Sequence, residues 1–210
     1  IRFSFLFGLP SIFRGKTAQL PLNTIKSTRL DRFLREQKAE SKDIYFQTSI
    51  SIGKLSHLRL NRVNLYIYDF YLIGKSIHHD LNEMAQDVFS DYDAEIEQTH
   101  QPSKNSRRKG KLGKFGQIIS QYLNSQSSLA QAIGMDKNKF GRLMYSDSEI
   151  IALDLYILTK LLNLDFKLVT EAICGHLYLN SAEEQQRLRD KYQAELDAKK
   201  AKRDAGKQKE

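Results

Sequence analysis

Residues 128–145 read SLAQAIGMDKNKFGRLMY. Leu129, Ala130 and Ile133 recur on one helical face. Gly134 and Asp136 then break the pattern, and Phe140, Leu143 and Met144 resume it. A single amphipathic helix gains nothing from a glycine and an aspartate in mid-pattern, whereas two short helices joined by a tight turn need both. Gly134 accepts left-handed dihedrals at no steric cost and ends the first helix. Asp136 offers a carboxylate to the free N–H groups of the second. Ala130 is small enough for close approach. Leu129, Ile133, Met135, Phe140 and Leu143 form the joint, which leaves Lys137, Asn138, Lys139 and Arg142 facing outward.

Working outward, residues 113–123 (GKFGQIISQYL) place Phe115, Ile118, Ile119 and Tyr122 on one helical face, and Ser125 is a candidate cap for the helix that follows. Residues 149–173 (EIIALDLYILTKLLNLDFKLVTEAI) read as two more helices divided near 163–165. Five short helices in so few residues predict an all-α, compact five-helix bundle over residues 114–180. Residues 181–210 open on a capping box, Ser181 with Glu184, and Leu188, Tyr192 and Leu196 recur at four-residue steps. Too few such steps occur for a coiled coil, so this segment reads as an exposed charged helix fraying into a basic tail.

Upstream the texture changes. Residues 101–114 (QPSKNSRRKGKLGK) hold six basic side chains and no acid, with Pro102, Gly110 and Gly113 among them. That composition describes a flexible linker or a basic arm laid along phosphates through Arg107, Arg108, Lys109 and Lys111. Before it lie Asp87, Asp91, Asp93, Glu95 and Glu97 with no Lys or Arg between them. Residues 84–113 are therefore an acidic segment followed by a basic arm. Residues 1–83 are harder to place. Residues 43–52 (DIYFQTSISI) and 64–73 (NLYIYDFYLI) are rich in β-branched and aromatic side chains, which predicts strands. All three methionines lie at Met84 or later. Three readings compete: a poorly ordered domain, a fragment lacking its start, or translated sequence upstream of a start at Met84. The last is preferred, and no function is expected there. The opening IRFSFLFGLPSIF has a Pro inside and no A-x-A motif after it, against a signal peptide.

The chain has 210 residues and a formal net charge of +8, which admits nucleic acid, an acidic membrane or an acidic protein as partner. Its mean hydropathy is −0.51, and no apolar run approaches the length of a spanning helix. Cys174 is the only cysteine, so no intrachain disulfide or thiolate zinc site is available, and a cytoplasmic location is expected. Cys174 follows an apolar helical stretch and reads as a packing residue. His57, His78, His79, His100 and His176 are scattered away from metal-ligand spacing, and residues 91–97 lack the glycine and closing glutamate of a calcium loop. There is no P-loop, G-x-S-x-G or G-x-G-x-x-G. Neither an enzyme nor a cofactor is expected.

On Gln126, Leu129-Ala130, Ile133-Gly134-Met135, Phe140 and Leu143, residues 114–173 resemble the lambda-repressor-like, or Xre-type, helix-turn-helix family. Residues 154–166 (DLYILTKLLNLDF) look like that family's fourth helix and the turn after it. The resemblance implies a five-helix domain that binds operator DNA, commonly as a homodimer, with a recognition helix at 136–145 in the major groove. Carried onto this chain, the DNA-binding residues are Gln126, Ser128, Lys137, Asn138, Lys139, Gly141 and Arg142. Three positions depart from the family pattern: Gly141 inside the recognition helix, the bulk of Phe140, and Lys137 in place of a small hydroxyl residue. The expected function is a sequence-specific transcriptional regulator with double-stranded DNA as partner. The alternative is a helical protein-interaction module, an antitoxin-like adaptor without base readout.

Overall fold

The computed structural model describes residues 29–95, 112–121, 126–147 and 150–207. Within them the protein is all-α. Its helices are α1 (Arg29–Glu36), α2 (Ser41–Thr48), α3 (Ile52–Arg59), α4 (Ile67–Ser76), α5 (Leu81–Phe89), α6 (Lys114–Ile119), α7 (Gln126–Ala132), α8 (Lys137–Leu143), α9 (Ala152–Leu161), α10 (Phe166–Cys174) and α11 (Ala182–Lys207). A 3₁₀ segment, Ser90–Glu95, follows α5.

Two expectations are corrected upstream of Met84. Most of the segments 43–52 and 64–73 is helical, 43–48 falling in α2, Ile52 opening α3 and 67–73 lying in α4, while 49–51 and 64–66 connect the helices. Nor are residues 29–83 a poorly ordered appendage. Leu30, Phe33, Leu34, Ile44, Leu55, Leu58, Ile67, Phe70 and Ile73 are buried in the same core as Phe115, Leu129, Phe140, Leu155 and Ile173. A boundary at 83/84 would cut through α5. The strand signal failed because α4 is buried on most of its circumference: Ile67, Asp69, Phe70, Tyr71, Ile73, Gly74 and Ser76 are all buried. A helix enclosed all round loses the alternation of apolar and polar faces that marks a surface helix, and its β-branched and aromatic content then imitates a buried strand.

The ten described helices before α11 are two copies of one unit. Adding 85 to the residue numbers of α4 (Ile67–Ser76) gives α9 (Ala152–Leu161), and adding 85 to α5 (Leu81–Phe89) gives α10 (Phe166–Cys174). The same shift carries α1, α2 and α3 onto α6, α7 and α8 at their first residues, Lys114, Gln126 and Lys137. The unusual backbone positions correspond too: Ser49 (φ 62°) with Gly134 (φ 66°), and His78 (φ 53°) with Asn163 (φ 52°). So do the caps. Ser51 accepts from Lys54 N as Asp136 accepts from Asn138 and Lys139 N, and Asp80 caps α5 as Asp165 caps α10.

The units face each other across a local twofold axis, and reciprocal contacts define it. Ile67 N donates to Ile150 O at 2.8 Å, while Ala152 N, the counterpart of Ile67, donates to Leu65 O at 2.9 Å. Lys167 Nζ donates to Asp80 Oδ2 at 2.7 Å, while Asn82 Nδ2, the counterpart of Lys167, donates to Asp165 Oδ2 at 3.1 Å. The Lys167 ammonium, together with the backbone N–H groups of Asn82 and Glu83, holds the Asp80 carboxyl below its ordinary range against a smaller opposing effect of burial. Around the axis α4 packs on α10 and α5 on α9, with Phe70 edge-on to Phe166 and Phe89 against Tyr156. Among the described residues, helix α11 breaks the symmetry, lying on α2. Asn180 bonds Phe46 O and Gln47 O, Tyr192 meets the Phe46 ring at 5.8 Å, and Leu188 is buried.

Because α9 and α10 bury their inner faces against α4 and α5, a chain cut to residues 84–210 should lose cooperative folding. A sharp melting transition at the full chain's midpoint would contradict that. Within the second unit, a Cβ at Gly116 would run into the backbone carbonyl of Met144. Gly116→Ala should therefore destabilise the chain by about 1–3 kcal/mol in urea unfolding.

Candidate functional site

Helix α8 is anchored on one side and open on the other. Phe140 and Leu143 are buried, and the Phe140 ring stands edge-on to Phe115 of α6 at 6.0 Å. At its start, Asp136 Oδ1 accepts from Asn138 N at 2.9 Å and Lys139 N at 3.0 Å. The preceding turn closes through Gly134 N to Gln131 O and Met135 N to Ala130 O, the latter at 2.7 Å. Leu129 and Ala130 are buried, and Ile133 and Met135 pack against the core. The residues assigned to the joint, Leu129, Ala130, Ile133, Met135, Phe140 and Leu143, thus all lie in the core or against it.

Lys137, Asn138 and Arg142 are exposed on the outer side of α8, and Ser128 of α7 is exposed while Gln126 is half-buried. Asn138 and Arg142 are four apart and so share one helix face. Gly141 is half-buried, and a side chain there would meet nothing within 4 Å. Lys139 differs from its neighbours. It is half-buried, and its charge acts on Asp154 of α9. Burial pushes the Asp154 carboxyl up to about 6, against the downward pull of Lys139. The first unit repeats this pairing in closer form, with Lys54 Nζ 2.8 Å from Asp69 Oδ1. Lys139 is therefore within electrostatic reach of a carboxyl of the protein itself, which sequence spacing did not reveal. The signal was available, since Lys54 and Asp69 stand at the same separation as Lys139 and Asp154.

The root of the basic arm lies beside α8. Gly113 N donates to Met144 O at 3.0 Å, and the Asp147 carboxylate accepts from Lys114 N and Phe115 N. Residues 96–111, with Arg107, Arg108, Lys109 and Lys111, lie outside the described residues, as do Tyr122 and Ser125.

Comparison with protein-family models, curated proteins and solved structures finds no match for this chain.

Other candidate chemistry stays dispersed. Among the described residues no three His, Cys, Asp or Glu side chains come together as a metal site would require, and no helix is long and apolar enough to cross a membrane. The Cys174 thiol is buried, and that burial pushes its pKa up to about 12, far from a nucleophilic thiolate. His79 packs edge-on against Phe33, and His176 against Tyr68.

Asp154 gives a pH test. A carboxyl whose folded pKa is raised penalises the fold once it ionises, so the cost is absent below about pH 4 and is fully present above about pH 6. Asp154→Asn should stabilise the chain by on the order of 2 kcal/mol at pH 7.5 and by little at pH 4. Thermal melts at the two pH values measure the difference, and equal shifts at both would refute this account of Asp154.

Proposed function

We propose that the protein is a sequence-specific DNA-binding transcriptional regulator of the lambda-repressor-like kind, with residues 136–145 as the recognition helix in the major groove. One observation carries the reading. Lys137, Asn138 and Arg142 stand exposed together on a short helix whose opposite edge, Phe140 and Leu143, is locked into the core. A rigid helix of this size fits the major groove. An Arg on its outer face can fork onto guanine O6 and N7, and an Asn one turn away can pair with adenine. Lys137, Ser128 and the arm residues Arg107, Arg108, Lys109 and Lys111 are suited to phosphates, which position a protein without reading sequence. Gly141, with open space where a side chain would stand, leaves room for a base or phosphate to approach.

Selection of bound fragments from random duplex DNA is the direct experiment. On the selected site Arg142→Ala should cost about 1–3 kcal/mol and flatten the preference at one base position. Lys109→Ala should weaken all sequences alike and make the salt dependence shallower, by about 0.9 in log–log slope for one phosphate no longer neutralised. If no sequence is enriched and binding to DNA is negligible at low salt, the outer face of α8 is a protein-docking surface and the adaptor reading takes its place.

A further inference from the structure

We infer that the first five-helix unit carries a second DNA-reading helix, α3, so that one chain engages two half-sites of an operator as a homodimer would. The inference rests on the reading proposed for α8. It is carried by separate observations: the 85-residue correspondence of the helices, caps and left-handed positions, and the reciprocal bonds across the axis.

Under that correspondence α2–α3 is the counterpart of α7–α8. Ile44, Ile50, Leu55 and Leu58 are buried where Leu129, Met135, Phe140 and Leu143 form the joint of the second unit. Outward, Gly53, Ser56 and His57 are exposed at the positions of Asn138, Gly141 and Arg142. Lys54 is held by Asp69 at the position where Lys139 acts on Asp154. Residues 38–62 contain five Lys or Arg, of which Lys42 pairs with Glu40, Lys54 with Asp69 and Arg59 with Asp31. Duplex DNA has local twofold axes of its own, so two helices related by a dyad would meet two half-sites in inverted orientation where their spacing equals about one helical turn. The two helices differ in what they offer. Arg142 and Asn138 present a fork and an amide, whereas Ser56 and His57 present a hydroxyl and an imidazole beside Gly53, which has no side chain. The half-sites they read must therefore differ in sequence, and the operator is an imperfect inverted repeat.

The test uses the full chain and a duplex recovered by selection from random DNA. Hydroxyl-radical footprinting should show two protected half-sites about one helical turn apart, or a multiple of it. Sedimentation should give one chain per duplex. Arg142→Ala should lose base preference in one half-site, and the double variant Ser56→Ala/His57→Ala should lose it in the other. Each should weaken binding by about tenfold. Both α3 positions are exposed, so a melting curve equal to wild type establishes that the variant is folded. Ser56→Asp, which brings a carboxylate towards the phosphates, should weaken binding further. If wild-type protein selects a sequence but the α3 variants bind it unchanged, or if two chains load per duplex and Arg142→Ala affects both half-sites equally, the inference is overturned while the reading of α8 stands. If wild-type protein selects no sequence, both fall together.

Discussion

Burial across the local twofold axis is the constraint on which the other features depend. Helices α4 and α9 are apolar nearly all round, so neither could end its unit as a solvent-facing helix without exposing Ile67, Phe70 and Ile73, or Leu155 and Leu158. Each finds its cover in the other unit. The contact is directional as well as apolar. The antiparallel bridge at Tyr66 and Ile151 aligns the two chain segments, and Asp80–Lys167 with Asn82–Asp165 ties the starts of α5 and α10 together. A slip of one residue along α4 would break both backbone bonds and move Phe70 off Phe166.

The same geometry gives the second unit's outer face its rigidity. Helix α8 is short and would not persist alone in water. It holds because Asp136 caps it, Phe140 is wedged against Phe115, and Asp147 pins α6 to the chain just beyond α8. Those contacts set where the backbone of Lys137, Asn138 and Arg142 stands on its outer edge.

How much was legible from the sequence depended on which unit was being read. In the second unit Gly134 at the left-handed turn, Asp136 at the cap and the apolar spacing on either side agree with one another, and the turn, the cap, the all-α class and the break between α9 and α10 follow. In the first unit the corresponding signals are muted. Ser49 takes the left-handed turn that Gly134 marks plainly, and His78 takes the one held by Asn163. Tertiary burial, which no local pattern encodes, overrides the strand propensity of Ile67, Tyr68, Phe70 and Tyr71. A few residues also coincide between the units. Lys54, Leu58, Asp69, Tyr71, Lys75 and Asp80 are each identical to the residue 85 positions later. Several of these do the same work twice: Lys75 sits over the Tyr71 ring as Lys160 sits over Tyr156, and Asp80 and Asp165 both cap. Six identities scattered along two long helical stretches are visible once the helices are superposed, but they form no contiguous motif.

Joining both halves of the dyad in one polypeptide changes how the assembly responds to its own abundance. Two separate protomers associate by mass action, so their pairing fades on dilution and their combined occupancy of any target rises more steeply than their concentration. Here the two units belong to one polypeptide, so their meeting is set by chain connectivity rather than by synthesis. The contact between the two units is therefore intramolecular and does not fade on dilution.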